Sequence, residues 1–280
     1  KFNEYYCNYN ANVHRGIYQI GEKATFEYEA VRQKIIQFLN GDDSFSTIYT
    51  RGTTESINLL ANSLSQITLN EGDEVLISEM EHHSNIVPWQ IACERFNAKL
   101  KYIPITDAGE WDLSNLDQLI TEKTKIVSLI HQSNVFGTVN PVEKVAQIAK
   151  SIGSIVIIDA AQSVPHSKID LINLNCDFIA FSGHKMLGPT GVGILVGKTD
   201  LLDKIPPFMG GGEMIHTVSM EKSTWNELPW KFEAGTPNIA QVIGLGASID
   251  YLENIGMDNI HKFEKSILNS AMEKLSSVEG

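Results

Sequence analysis

The chain has 280 residues, 42% hydrophobic and 20% charged, enough to bury the core of one large or two ordinary domains and too apolar for a disordered, collagen-like or coiled-coil chain. Lys plus Arg is 22 and Asp plus Glu is 34, so the net charge is 22 − 34 = −12, which repels nucleic-acid backbones and anionic lipid alike. No apolar run approaches the roughly 20 residues that span a bilayer, so the sequence predicts neither a nucleic-acid partner nor a membrane one.

Cys7, Cys93 and Cys176 lie far apart, with no C-x-x-C pair and no N-x-[ST] acceptor, a pattern that suits a reducing cytoplasm and gives no disulfide framework or zinc site. The chain opens at Lys1 without a Met or a signal-like segment and stops at Gly280 on the heels of a helical pattern. Both ends read as cut, which predicts an internal piece of a longer protein.

In chain order, apolar residues at Tyr28, Val31, Ile35, Phe38 and Leu39 predict a helix over Glu22 to Asn40, ended by Gly41. Strands and helices then alternate. Strands are expected at Ser46 to Thr50, Glu74 to Ile77, Lys99 to Ile105, Lys125 to His131, Ser154 to Ile158, Phe178 to Phe181 and Val192 to Val196. Helices are expected at Thr54 to Gln66, Ser84 to Phe96, Leu113 to Ile120 and Val142 to Ile152, the last ended by Gly153. The region near Cys7 reads as irregular, and the stretch from about Lys198 to Trp230, with Gly210-Gly211-Gly212, as a long surface excursion. Helices over Asn238 to Asn254 and Met257 to Ser276 close the chain. This order predicts an α/β fold with a largely parallel, doubly wound sheet, in which ligands bind outside the carboxyl ends of the strands.

The residues just after each strand therefore carry the functional reading. Gly52-Thr53-Thr54-Glu55 opens a helix after a strand, so its N–H groups and hydroxyls suit an anion; a plain helix cap is the ordinary alternative. Neither a P-loop nor G-x-G-x-x-G spacing is present around Gly188 to Thr199, which removes a nucleotide fold. Asp159 ends the most apolar strand and Gln162 follows in the turn, where they can meet one flat heterocycle; a turn-forming Asp is the alternative. Lys185, in Ser182-Gly183-His184-Lys185, sits at another strand end in an apolar neighbourhood that can turn a surface-type lysine into a nucleophile. An anion cradle, a carboxylate for a ring nitrogen, an amide for a ring hydroxyl and a nucleophilic lysine form the set of partners that pyridoxal 5'-phosphate requires. A carboxylate about 4 Å from such a nitrogen, at an effective dielectric near 20, favours the protonated ring by ~4 kcal/mol.

Over nearly its whole length, from Val13-His14-Arg15-Gly16 to Gly235-Thr236-Pro237-Asn238, the sequence resembles the class V pyridoxal-phosphate enzymes. Within them it is similar to the cysteine desulfurases of the sulfur-mobilisation (SUF, group II) type and selenocysteine lyase-like members. The segments that carry the resemblance are Arg51-Gly52-Thr53-Thr54-Glu55, Glu81-His82-His83-Ser84-Asn85, Ser133-Asn134-Val135-Phe136-Gly137, Asp159-Ala160-Ala161-Gln162 and Ser182-Gly183-His184-Lys185.

The resemblance implies a type I pyridoxal-phosphate transferase fold with a large domain over residues 21–237, a truncated N-terminal segment over 1–20, linking helices over 238–280, and a small C-terminal domain largely missing. It implies Lys185 as the Schiff-base lysine, Asp159 on the pyridine nitrogen and Gln162 on the phenolic oxygen. Thr54, Ser182 and His184 would hold the phosphate with Thr53 nearby, and Asn134 would lie near substrate. Thr236 is implied to reach the other subunit's phosphate in a homodimer. His82 is implied to stack on the ring and act as acid and base. Histidine rather than an aromatic at this position favours desulfurases and selenocysteine lyases over aminotransferases, because an imidazole shuttles protons near pH 7. A helix cap beside Ser84 is the alternative for His82 and the preferred reading for His83; a metal site made of the two is disfavoured, since adjacent side chains diverge.

The implied activity is transfer of sulfur from L-cysteine, or L-selenocysteine for the lyase-like reading, with release of L-alanine and delivery to an acceptor protein for iron-sulfur cluster supply. None of the three cysteines matches the nucleophile loop, and the substrate-carboxylate arginine is likewise expected beyond residue 280. Transamination or kynurenine cleavage, and a cofactor-binding fragment without turnover, remain as alternatives.

Overall fold

The computed structural model describes residues 1–278. Its central sheet has seven strands, β1 (Phe45–Thr50), β2 (Glu74–Ser78), β3 (Lys99–Ile103), β4 (Thr124–Ile130), β5 (Ile155–Asp159), β6 (Phe178–Ser182) and β7 (Gly193–Lys198), in the spatial order β1-β7-β6-β5-β4-β2-β3. Neighbours from β6 to β3 pair in parallel, with helical crossovers leading from β2 to β3, from β4 to β5 and from β5 to β6. Strand β7 is antiparallel to both β6 and β1. The ten residues 183–192 that separate it from β6 are too few to carry the chain back for a parallel strand. The carboxyl ends of β1, β2, β4, β5 and β6 consequently share one edge of the sheet.

Alternate strand residues feed opposite faces, as the two-residue strand period requires. On one face Val127, Leu129, Val156, Ile158, Ile179 and Ile194 pack against the helices Gln19–Phe38, Val142–Ser151 and Ile239–Ile255. On the other, Ile126, Ile157, Phe178, Ala180 and Leu195 meet Ile57, Leu60 and Leu64 of the helical stretch Thr53–Thr68 and Trp89 and Cys93 of the helix Val87–Phe96. Val156, Ile157 and Ile158 are fully buried, each contributing roughly 1.5–3 kcal/mol of apolar burial, which explains why β5 reads as an unbroken apolar run. The helix Ile239–Ile255 belongs to this core, with Leu245 and Ile249 fully buried, whereas Met257–Ser276 buries no residue.

Several local expectations are corrected. The first long helix ends at Phe38 and Asn40, not Gly41, takes the left-handed conformation, with φ of 51°. Gly153 does take it after the helix Val142–Ser151, at φ 82°. Strand β3 stops before Pro104, leaving Ile105 a lone bridge to Trp111, and the helix expected over Leu113 to Ile120 shrinks to Leu116–Leu119. The helix expected from Ser84 is a short turn, His83–Asn85, followed by Val87–Phe96. Tyr5–Tyr9 near the amino terminus is a wide helical turn anchored by buried Tyr5 and Tyr9, rather than irregular. The loose region holds a helix, Thr199–Lys204, and a hairpin of Ile215–Val218 with Ser223–Trp225.

Candidate active site

A cleft of about 220 Å³ opens at the carboxyl edge of the sheet, lined by Thr53, Thr54, His82, Ser84, Ile130, Asn134, Asp159, Ala161, Gln162, Ser182, His184 and Lys185. Its residues arrive from the ends of β1, β2, β4, β5 and β6, so five strand ends meet in one place.

The anion-binding side begins where β1 gives way to the helix at Thr53. Ser182, the last residue of β6, accepts a hydrogen bond from the Thr53 N–H at 2.9 Å and shares another with the Thr53 hydroxyl at 2.7 Å. The N–H groups of Thr54 and Glu55, in the first helical turn, have no intrahelical acceptor and carry the positive end of the helix dipole. This cup exists because β7 has no side chain at Gly193: a Cβ there would lie 2.2 Å from the Gly52 Cα. His184 is exposed beside it.

Asp159, the last residue of β5, is 1% exposed and accepts a hydrogen bond from the Ala161 N–H at 3.0 Å. Burial pushes its carboxyl up from the ordinary carboxylate value, opposed by that hydrogen bond and by the positive fields of Lys185 and His82. It joins none of the ion pairs among the described residues. A buried carboxylate on the wall of a cleft, without a cation of its own, suits a protonated ring nitrogen. Lys185 sits in the turn Gly183–Lys185 after β6, closed by hydrogen bonds from the Met186 and Gly188 N–H groups to the Gly183 carbonyl at 3.0 and 2.9 Å. Together with the cup, these groups fit pyridoxal 5'-phosphate: Thr53, Thr54, Ser182 and His184 for its phosphate, Asp159 for its nitrogen, Lys185 for its aldehyde.

His82 does two things at once. Its Nδ1 accepts from the Ser84 N–H at 3.1 Å and is 2.8 Å from the Ser84 hydroxyl, capping the turn His83–Asn85 while the ring lines the cleft. The capping role expected of His83 thus belongs to His82. With Nδ1 engaged, the hydrogen-bond pattern assigns the neutral ring its proton on Nε2.

Thr236 is the exception among the ten residues expected to bind the cofactor. It is exposed in the loop before the helix Ile239–Ile255 and lines a separate cleft of about 110 Å³ with Arg51, Glu55 and Asn238. Ser84, Ile130 and Ala161 line the main cleft although the sequence assigned them no place in the site; their signal was position, each lying within three residues of a strand end or of His82. Cys93 and Cys176 are buried, and burial pushes their thiols up to about 11 and about 12; Cys7 is exposed, and no cysteine lines the cleft.

The sequence profile of the class-V aminotransferase family matches residues 1–280. The chain belongs to that family. Among its relatives, a probable cysteine desulfurase of Halalkalibacterium halodurans is 52% identical over 277 residues, covering 99% of this chain and 68% of the relative. Another, of Streptomyces coelicolor, is 50% identical, covering 98% and 67%. The fold is likewise similar to the apo cysteine desulfurase of Thermococcus onnurineus NA1, with a TM-score of 0.94 at 38% identity over 98% of this chain and 68% of that one. The cysteine desulfurase CsdA of Escherichia coli, in an S-sulfonic acid form, superposes with a TM-score of 0.92 at 38% identity, covering 100% and 70%. This class-V aminotransferase chain therefore spans about two thirds of the length of these cysteine desulfurases.

Proposed function

We propose that the chain is the cofactor-binding part of a cysteine desulfurase that uses pyridoxal 5'-phosphate to take sulfur from L-cysteine and release L-alanine. The observation that carries this reading is the convergence of Thr53, Thr54, His82, Asp159, Gln162, Ser182, His184 and Lys185 on one cleft, in a chain about 50% identical to probable cysteine desulfurases. Histidine at position 82 favours this reaction over transamination.

When bound, the cofactor supplies an electron sink that acidifies the substrate Cα–H and weakens the C–S bond. The chain's residues do the rest. Asp159 holds the ring nitrogen's positive charge, because its own ionisation in a buried setting is favoured by a cation beside it. Gln162 orients the ring oxygen, Asn134 borders the substrate, and Lys185 Nζ takes up the Cα proton. His82 returns protons through Nε2, with Ser84 accepting from Nδ1–H when the ring is charged. The sulfur needs a thiolate, and the two buried thiols are inert at neutral pH. Cys7 is exposed but does not line the cleft, so we place the attacking cysteine outside these 280 residues and a separate acceptor protein after it. Thr236, on the exposed loop, is assigned to the phosphate of a second subunit in a homodimer.

The test is pyridoxal phosphate uptake followed by borohydride trapping. Visible absorbance and a covalent adduct should appear in the wild type and vanish in Lys185→Ala, and light scattering should find a dimer. Equal trapping in both proteins would reject the assignment of Lys185.

A further inference from the structure

Glu81 precedes His82 and takes no part in the chemistry above, yet it is the best-connected carboxyl near the cleft. Its side chain is buried, and one oxygen accepts from the Ser78 hydroxyl at 2.6 Å and from the N–H groups of Ile130 and Ser78 at 3.0 and 3.3 Å. The other accepts from the Asn85 side-chain amide at 2.6 Å. Asn85 is fully buried, and its oxygen in turn accepts from Trp89 Nε1 at 2.9 Å and from the Ser128 hydroxyl at 2.6 Å.

These bonds join three pieces of the cleft. Ser78 ends β2, Ile130 ends β4 and lies opposite Asp159 in the parallel pairing of β4 with β5, and Asn85 closes the turn that His82 caps. A carboxyl among four donors and no cation is an unusual thing to bury unless its geometry is used. We propose that Glu81 is a positioning residue that clamps the His82 turn to the strand pair presenting Asp159, setting the distance between the two functional side chains. The inference rests on the function proposed above for His82 and Asp159. Burial pushes the Glu81 carboxyl up to about 8 and Asp159 adds to the rise, against the hydrogen bonds from Ser78, Ile130 and Asn85 that pull it down.

The clamp makes an asymmetric demand. In Glu81→Gln an oxygen still meets Ile130 and Ser78, but an NH2 group now faces the Asn85 NH2 group. Asn85 cannot turn over, because Trp89 and Ser128 both donate to its oxygen. Gln therefore keeps the strand contact and loses the turn contact.

The experiment records histidine Cε1–Hε1 NMR spectra of the ¹³C-histidine-labelled chain, with the His82 peak assigned through His82→Asn, alongside thermal melting and pyridoxal phosphate titration. In Glu81→Gln the His82 peak should be displaced while those of His166 and His216 stay in place, and the cofactor's Kd should rise about five- to tenfold, the equivalent of one lost hydrogen bond. Ser78→Ala, which removes the 2.6 Å hydroxyl contact to Glu81 and the 3.3 Å bond from the Met80 N–H but leaves the other three donors to Glu81, should give a smaller displacement in the same direction if Glu81→Gln folds poorly. A lowered melting temperature with an unmoved His82 peak in both variants would mean a merely structural carboxyl and overturn the proposal. The His82 spectrum is read without cofactor, so a wild type that takes up no pyridoxal phosphate would reject the functional reading and leave the clamp itself tested.

Discussion

Ser182 and Thr53, 129 residues apart in sequence, are joined by two hydrogen bonds of 2.9 and 2.7 Å across the mouth of the anion cup. The bond to the Thr53 N–H satisfies one of the amides that any helix leaves open at its start. Ser182→Ala would strand that buried amide and cost about 1–3 kcal/mol of stability. If the cup serves a phosphate, affinity for pyridoxal phosphate should fall about tenfold while affinity for unphosphorylated pyridoxal hardly changes. An equal loss for both compounds would remove the phosphate assignment.

The charge on Asp159 can be separated from its shape. Asp159→Asn keeps the volume and the acceptor for the Ala161 N–H, but it offers no negative charge to a ring nitrogen. With ~4 kcal/mol at stake, Cα-proton exchange of a bound amino acid in deuterated water should slow on the order of a thousandfold while cofactor stays detectable. Wild-type exchange in the variant would contradict the role.

Gly193 should tolerate no side chain. A Cβ there would meet the Gly52 backbone at 2.2 Å, so Gly193→Ala must push β7 away from the cup. A loss of roughly 1–3 kcal/mol in urea unfolding is expected, together with weakened cofactor uptake. Gly210→Ala, with nothing within 4 Å of the added carbon, is the control and should leave both unchanged.

Two carboxyls give opposite pH slopes to stability. Burial pushes Glu81 up to about 8, so its contribution is full below the ordinary 4.5 and is lost as pH rises through about 8. Glu29 goes the other way: burial raises it, but hydrogen bonds from His14 and Arg32 outweigh burial and hold it at about 2. Its contribution is present above 4.5 and disappears as pH falls toward 2. Urea midpoints measured from pH 3 to 9 should therefore show a flatter fall between pH 5 and 8 in Glu81→Gln, and a shallower acid-side loss in Glu29→Gln. Slopes matching the wild type in both variants would show that neither carboxyl is shifted as described.

The sequence by itself determined which residues stand at strand ends. The apolar run through β5 and the turn chemistry after β1, β5 and β6 placed Thr53, Asp159, Gln162 and Lys185 there, because burial on both faces and strand-to-helix turns leave local signatures. Nine of the ten residues expected at the cofactor line one cleft, and only Thr236 lies apart. Tertiary structure alone decided the rest. Element ends shifted wherever a proline, a left-handed Asn40 or a capping side chain outweighed periodicity. Whether His82 or His83 capped the turn depended on a contact with Ser84 that spacing leaves open, and the direction of β7 depended on the length of its connection to β6. The clamp at Glu81 was invisible in the chain because its partners come from β2, β4 and a helical turn, and only folding brings Ser78, Ile130 and Asn85 around one carboxyl. Local patterns report what a residue prefers for itself; which groups share a buried pocket is fixed by the crossovers that pack the strands side by side.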